Sequence, residues 1–170
     1  MPLLEGEYPI EGCKIAKNDR ITIENANIIW LNLSGNRTEY NAQGDRNFNI
    51  HLTQEQADQL AADGWNVKCK PARKEDPDSE DRCVLKVNVK FAYKPPRVVM
   101  VGNVTRKETL LDEELIGLLD DAEINKVDLV FVPYFWDIRG EVGVSAYLKT
   151  MYVEVIEDEL ELKWSHKEED

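Results

Sequence analysis

Two long strand patterns, Val127 to Ile138 and Val142 to Ile156, are joined by Arg139-Gly140-Glu141 alone. Three residues make a hairpin, whereas a parallel crossover needs a dozen or more. The longest regular stretch of the chain is therefore antiparallel, which excludes a fold built only from alternating βαβ units. Pro133 inside the first strand marks an edge or a bulge, because proline cannot donate to a ladder.

The rest of the 170 residues reads as more strands with short links. After a polar lead to Asp19, Arg20 to Leu33 reads as one long or bent strand, and Ser34-Gly35-Asn36 as a turn. In Arg46 to Leu52, Phe48, Ile50 and Leu52 alternate with Asn47, Asn49 and His51, the period of a half-buried strand. Thr53 to Asp63 is a helix, with Thr53 and Gln56 at capping-box spacing, Ala57, Leu60 and Ala61 as its apolar stripe, and Gly64 at the C′ position. Trp65 to Lys70, Arg82 to Tyr93 and Arg97 to Gly102 are further strands, with an exposed loop over Pro71 to Asp81 and a break at Pro95-Pro96. Leu111, Leu115, Leu118 and Leu119 predict a second short helix over Leu110 to Asp121. About seven strands and two short helices imply a mainly β fold, an elaborated OB-like antiparallel barrel. One domain over 1–156 and an acidic tail over 157–170 are expected.

The net charge is −12, yet it is unevenly spread. Residues 64–107 carry eleven basic and five acidic groups, net +6, while residues 154–170 carry two and eight, net −6. On the pleat, Trp65, Val67 and Cys69 oppose Asn66, Lys68 and Lys70; likewise the odd positions from Cys83 to Tyr93 are apolar, while Arg82, Lys86, Lys90 and Lys94 lie four apart on the other face. Paired as a hairpin, the two strands share one cationic face, with about 13 Å between successive cations on the longer strand. An extended polyanion fits such a stripe, and single-stranded nucleic acid adds a demand for rings on which bases stack. Trp65, Tyr93, Tyr134, Trp136 and Tyr147 are the candidate rings; Trp65 also fits the core, and Trp30, Phe48 and Phe91 are assigned there. Phe135 and Trp136 are neighbours on a strand, so they point to opposite faces. A solvated strand face guarded by lysines remains the competing reading.

Catalytic signatures are poor. His51 is the one histidine in the predicted domain, and no metal-ligand spacing or glycine-rich phosphate loop occurs. Asp112-Glu113-Glu114 and Asp120-Asp121 have the composition of a Mg²⁺ site but sit beside a predicted helix, where solvated charge explains them. No enzyme, cofactor or metal is expected. Cys13, Cys69 and Cys83 are odd in number without a C-x-x-C pair, and are read as reduced, buried thiols of a cytosolic protein. No apolar run is long enough for a membrane helix, and residues 1–7 do not read as a signal peptide.

Four runs carry a family likeness: Gly44-Asp45-Arg46-Asn47-Phe48-Asn49-Ile50; Gly64-Trp65-Asn66-Val67-Lys68; Val127-Asp128-Leu129 with Pro133-Tyr134 and Trp136; and Ala146-Tyr147-Leu148-Lys149-Thr150-Met151-Tyr152-Val153. Across about residues 20–156 the chain resembles bacteriophage and prophage single-stranded DNA-binding proteins. The resemblance implies an OB-like barrel, sequence-independent protection of single-stranded DNA during replication or recombination, and location in the bacterial host cytoplasm. It also implies a flexible acidic C-terminus that recruits replication or recombination proteins. The basic face described above supplies Lys68, Lys70, Arg82, Lys86, Lys90 and Lys94 as the cations expected to neutralise phosphates. Glu157, Asp158, Glu159, Glu161, Glu168, Glu169 and Asp170 form the partner-binding tail, which masks the basic face when DNA is absent. This tail ends in Glu168-Glu169-Asp170 where many such tails end in an aromatic or small hydrophobic anchor. A homo-oligomer is left open. The rival classes are an acidic protein that mimics nucleic acid toward a basic partner, and a Mg²⁺-dependent DNA-processing enzyme.

Overall fold

The computed structural model describes residues 10, 12–39, 41–72, 74–77, 81–92 and 94–158. Its strands are β1 (Ile21–Ile23), β2 (Asn27–Asn32), β3 (Arg46–Leu52), β4 (Lys68–Lys70), β5 (Arg82–Val89), β6 (Arg97–Gly102), β7 (Glu108–Leu111), β8 (Ile124–Ile138) and β9 (Glu141–Val155). Helix α1 spans Gln54–Asp63, and Ile116–Asp120 forms a short 3₁₀ turn.

The long hairpin is the frame. β8 and β9 pair antiparallel from Ile124↔Val155 to Ile138↔Glu141. Arg139 and Gly140 both have positive φ, at 53° and 87°, the two-residue turn whose twist matches the flanking strands. Fifteen residues per strand extend about 50 Å, far more than one core needs, so β9 shares its second edge between two partners. β5 pairs parallel with it at Val87↔Ala146 and Asn88↔Tyr147, and β6 pairs parallel from Arg97↔Thr150 to Gly102↔Val155. An extra residue at Lys149 shifts the register between Val130 and Phe131. The core side of β9 accordingly switches from Val144, Ala146 and Leu148 to Met151 and Val153. β1 covers β8 only from Leu129 to Phe131, so among the described residues Pro133 lies on a stretch with β9 as its one partner, an edge position as its missing donor requires.

All nine strands belong to one sheet whose main path runs β1-β8-β9-β5-β3-β2, with β4 on β5 and β7 on β6. The path is open at β1 and β2, yet one continuous core takes side chains from both ends, Ile23 and Leu33 with Phe48, Phe131, Leu85 and Met151. A single sheet serving a single core must curve round it. Helix α1 stands as the sequence predicts, with both halves of the capping box, Thr53 Oγ1 accepting from Gln56 N and Gln56 Oε1 from Thr53 N. Among the described residues no helix is long and apolar enough to cross a membrane.

Three expectations change. The strand read over Arg20 to Leu33 is two strands, parted by a bend with Asn25 at φ 51°. The helix read over Leu110 to Asp121 is β7 followed by the 3₁₀ turn, with Leu110 exposed and Leu111 buried as strand alternation demands. The cysteines are not all reduced: Cys69 and Cys83 form a disulfide, because β4 and β5 put them directly opposite one another, while Cys13 is free.

Candidate nucleic-acid interface

β4 and β5 pair as the predicted hairpin, Lys68 opposite Val84 and Lys70 opposite Arg82. Cross-strand partners point to the same side of a sheet, so Lys68, Lys70, Arg82 and Lys86 share a face, and all four are exposed. The pairing continues across the sheet: Lys86 faces Asn49 and Asn88 faces Asn47 on β3, and Asn88 faces Tyr147 on β9. Tyr147 in turn faces Val132, Tyr134 faces Ser145, and Trp136 faces Gly143. One surface therefore runs from the aromatic end of the long hairpin to the cationic β4–β5 hairpin.

A groove of about 70 Å³ lies between these two hairpins, where β5 leaves β9 after two rungs. Asn49, Asn66, Lys68, Lys86, Asn88 and Ser145 supply its polar lining, and Asn88 Nδ2 donates to the Ala146 carbonyl at 3.4 Å. On the β8–β9 side Tyr134 and Tyr147 stack on each other, centroids 4.5 Å apart and planes 4° apart. They make one two-ring platform, of which Tyr134 is 48% exposed. Burial, then the neighbouring Tyr134, raises the Tyr147 pKa above the usual phenol value of 10.0, so its hydroxyl keeps its proton. Trp136 Nε1 donates to Ser145 Oγ at 3.2 Å, and its ring lies over Gly143, where any side chain would collide with it. Its partner Phe135 packs toward the core.

Other predicted members fall elsewhere. Trp65 is 4% exposed and meets Phe131 edge-on, centroids 4.9 Å apart; no face of its ring is open to a base. The cause is local. Gly64 closes α1 in the left-handed conformation, and Trp65 N donates back to the Leu60 carbonyl, a helix end whose next residue folds onto the core. β5 ends at Val89, so the pleat that aligned the lysines ends there. Lys90 sits 3.9 Å from Asp45, and Lys94, with φ 52°, lies past the end of β5. Tyr93 lies outside the described residues.

Trp30, assigned to the core from the sequence, is 49% exposed, with Lys70 Nζ 5.5 Å and Arg82 Cζ 5.8 Å from its ring centroid. Sequence reasoning also passed over the asparagines. Asn47 and Asn49 on the polar parity of β3, with Asn66 and Asn88, were the signal, since amides both donate and accept.

Carboxylates weighed for metal binding have other partners. Asp112 accepts from the amides of Glu114 and Leu115, Glu113 pairs with Arg46 at 3.2 Å, and Asp120 accepts from Leu33 N, Ser34 N and Ser34 Oγ. Among the described residues no three His, Cys, Asp or Glu side chains are grouped to hold a metal ion.

Glu157 is not a free tail residue. Its carboxylate accepts from Val104 N and Thr105 N at 2.9 and 2.8 Å and from Thr105 Oγ1 at 2.9 Å, and its own amide donates to Asn103 Oδ1. The Thr105 amide, foremost, lowers its pKa below 4.5 despite some desolvation. A depressed carboxylate stabilises the fold above its unfolded value and loses that contribution as pH falls through the folded one. Hydrogen exchange should show the amides of Val104 and Thr105 protected at neutral pH and losing protection below pH 4.5; Glu157→Ala, which removes the oxygen that accepts from both, should expose them already at pH 7. Asp158 is the last described residue; Glu159, Glu161, Glu168, Glu169 and Asp170 lie outside.

Comparison with known proteins gives a consistent result. Two solved structures share the fold. A single-stranded DNA-binding protein from bacteriophage Enc34, in complex with ssDNA, matches at TM-score 0.54 and 11% identity, covering 89% of this chain and 95% of its own. The bacteriophage Enc34 protein in a second structure matches at TM-score 0.50 and 13% identity, covering 89% of each chain. No curated protein matches the sequence. A family described as "Putative phage ssDNA-binding domain" matches residues 12–169, nearly the whole chain, and the protein belongs to this phage ssDNA-binding domain family.

Proposed function

We propose that this protein binds single-stranded DNA without regard to sequence, and without catalysis, in phage or prophage replication or recombination. The observation that carries the reading is the continuity of one surface: Lys68, Lys70, Arg82 and Lys86 beside a groove whose far wall is Val144 to Ala146 of β9, next to the Tyr134–Tyr147 platform and Trp136. A basic track contiguous with stacking rings is what binding of single strands requires. The family and the ssDNA complex of the Enc34 protein support it. The cations hold phosphates, the rings hold bases, and the asparagines lining the groove bond to whichever base or sugar edge passes. A gel shift comparing labelled ssDNA, duplex of the same sequence and ssRNA tests the reading; ssDNA should shift at the lowest protein concentration. Equal or tighter binding of duplex contradicts it, because duplex hides the base faces.

The acidic segment plays two parts in this proposal, covering the groove when DNA is scarce and engaging replication or recombination proteins when DNA is bound. The clip at Glu157 sets where it starts. β9 ends at Val155, roughly 27 Å of strand beyond Tyr147, and the twelve residues from Glu159 to Asp170 span about 40 Å when extended. That length reaches back to Lys86. Removing residues after Asp158 keeps the clip and should raise ssDNA affinity at low salt, with the gain vanishing at high salt as screening removes the competition. Unchanged low-salt affinity leaves only the partner-binding part.

A further inference from the structure

Trp30 is a bulky residue at φ 54°, a backbone region that bulky side chains normally avoid. A bulge puts it there: Ile29 faces Asn49 and Asn32 faces Asn47, so β2 carries one residue more than β3 over that stretch. Simple alternation from Ile28, opposite the buried Ile50, would send Trp30 into the core. The bulge turns it out beside Lys70 and Arg82 instead. Those two cations face each other across the β4–β5 ladder, where like charges repel. Among the described residues neither is ion-paired to a carboxylate. A strained backbone, a half-exposed indole and a facing pair of like charges each work against the fold. Such concentrations of unfavourable features occur where a ligand relieves them.

We propose that Trp30, Lys70 and Arg82 form a second nucleotide station, separate from the Tyr134–Tyr147 platform. A base of the single strand stacks on the open face of the indole, taking the place of a cation held there by the ring's charge distribution. Lys70 and Arg82 then turn to the phosphates on either side of that base. The single strand runs from the β8–β9 rings across Lys86 on β5 and Asn49 on β3 to β2, three strand spacings or about 14 Å farther than the platform alone. This inference rests on the ssDNA reading above and adds the far end of the path.

The test uses the full chain, a fluorescent oligo-dT of about twenty nucleotides, longer than the site of a single barrel, and three proteins measured together: wild type, Trp30→Gly and Trp30→Phe. Glycine is at ease at φ 54°, so Trp30→Gly keeps its thermal midpoint. Its affinity should fall roughly 5- to 150-fold, while Trp30→Phe, which restores a ring, stays within about threefold of wild type. A second variant, Lys70→Gln with Arg82→Gln, is independent of the backbone at Trp30 and should make the salt slope about 1.4 units shallower. Wild-type affinity in Trp30→Gly together with an unchanged slope in the double variant overturns the second station and confines the phosphate contacts to Lys68 and Lys86 in the groove. Failure of wild type to bind the oligonucleotide overturns the ssDNA reading itself.

Discussion

Reversing two charges, Lys68→Glu with Lys86→Glu, is expected to lower ssDNA affinity by about 100-fold or more at low salt. Hydrogen bonds to charged groups contribute about 1.5–3 kcal/mol each, so losing two corresponds to about 3–6 kcal/mol, and the new carboxylates add repulsion. Both lysines line the groove between the two hairpins and both are exposed, so the fold does not depend on them. The salt response separates this loss from a general weakening. Each phosphate contact on a single strand contributes about −0.7 to the slope of log affinity against log salt, and the double variant should be shallower by about 1.4. Lys90→Glu is the internal comparison. Lys90 lies past the end of β5, 3.9 Å from Asp45, and its reversal should change affinity by less than about threefold, within the range of a peripheral charge. Equal losses at Lys90 and at the groove would mean that only overall charge matters.

Trp65→Ala should destabilise the protein by about 3–5 kcal/mol, the usual cost of emptying a buried aromatic site. Trp65 is buried against Phe131, which is itself fully buried, and it comes directly after the helix-ending Gly64, so the cavity would open between α1 and the sheet. A loss of that size is a large share of the stability of a domain this long and should appear as a fall in the denaturation midpoint with or without DNA. Trp65→Phe keeps most of the packing and should retain ssDNA affinity within about twofold once the protein is folded, since no ring face is offered to a base. A folded Trp65→Phe that loses tenfold or more in affinity would return Trp65 to the interface.

Signals confined to a few residues were legible in the sequence. The capping box at Thr53 and Gln56, the period of two in Arg46 to Leu52, and the short link at Arg139-Gly140 give α1, β3 and the β8–β9 hairpin where they stand. The shared face of Lys68, Lys70, Arg82 and Lys86 was also legible, because parity within a strand survives pairing. The hidden features depend on single inserted residues and on the strand lying opposite. The bulge at Trp30 and the extra residue at Lys149 each flip the parity of the strand beyond them, and nothing in composition marks them. Trp65 was read as the start of a strand although Gly64 just before it announced a helix end, after which the chain folds inward. The leucines from 111 to 119 match a helical period by chance: Leu115 and Leu118 are exposed, and Leu111 is buried through β7's pairing with β6.

The most direct test is the affinity of the wild-type chain for labelled oligo-dT across a series of salt concentrations. Four cations on the groove face, Lys68, Lys70, Arg82 and Lys86, predict tight binding at low salt and a log–log slope near −3. Absence of binding at low salt, or an affinity that does not change with salt, would contradict the assignment of this face to single-stranded DNA.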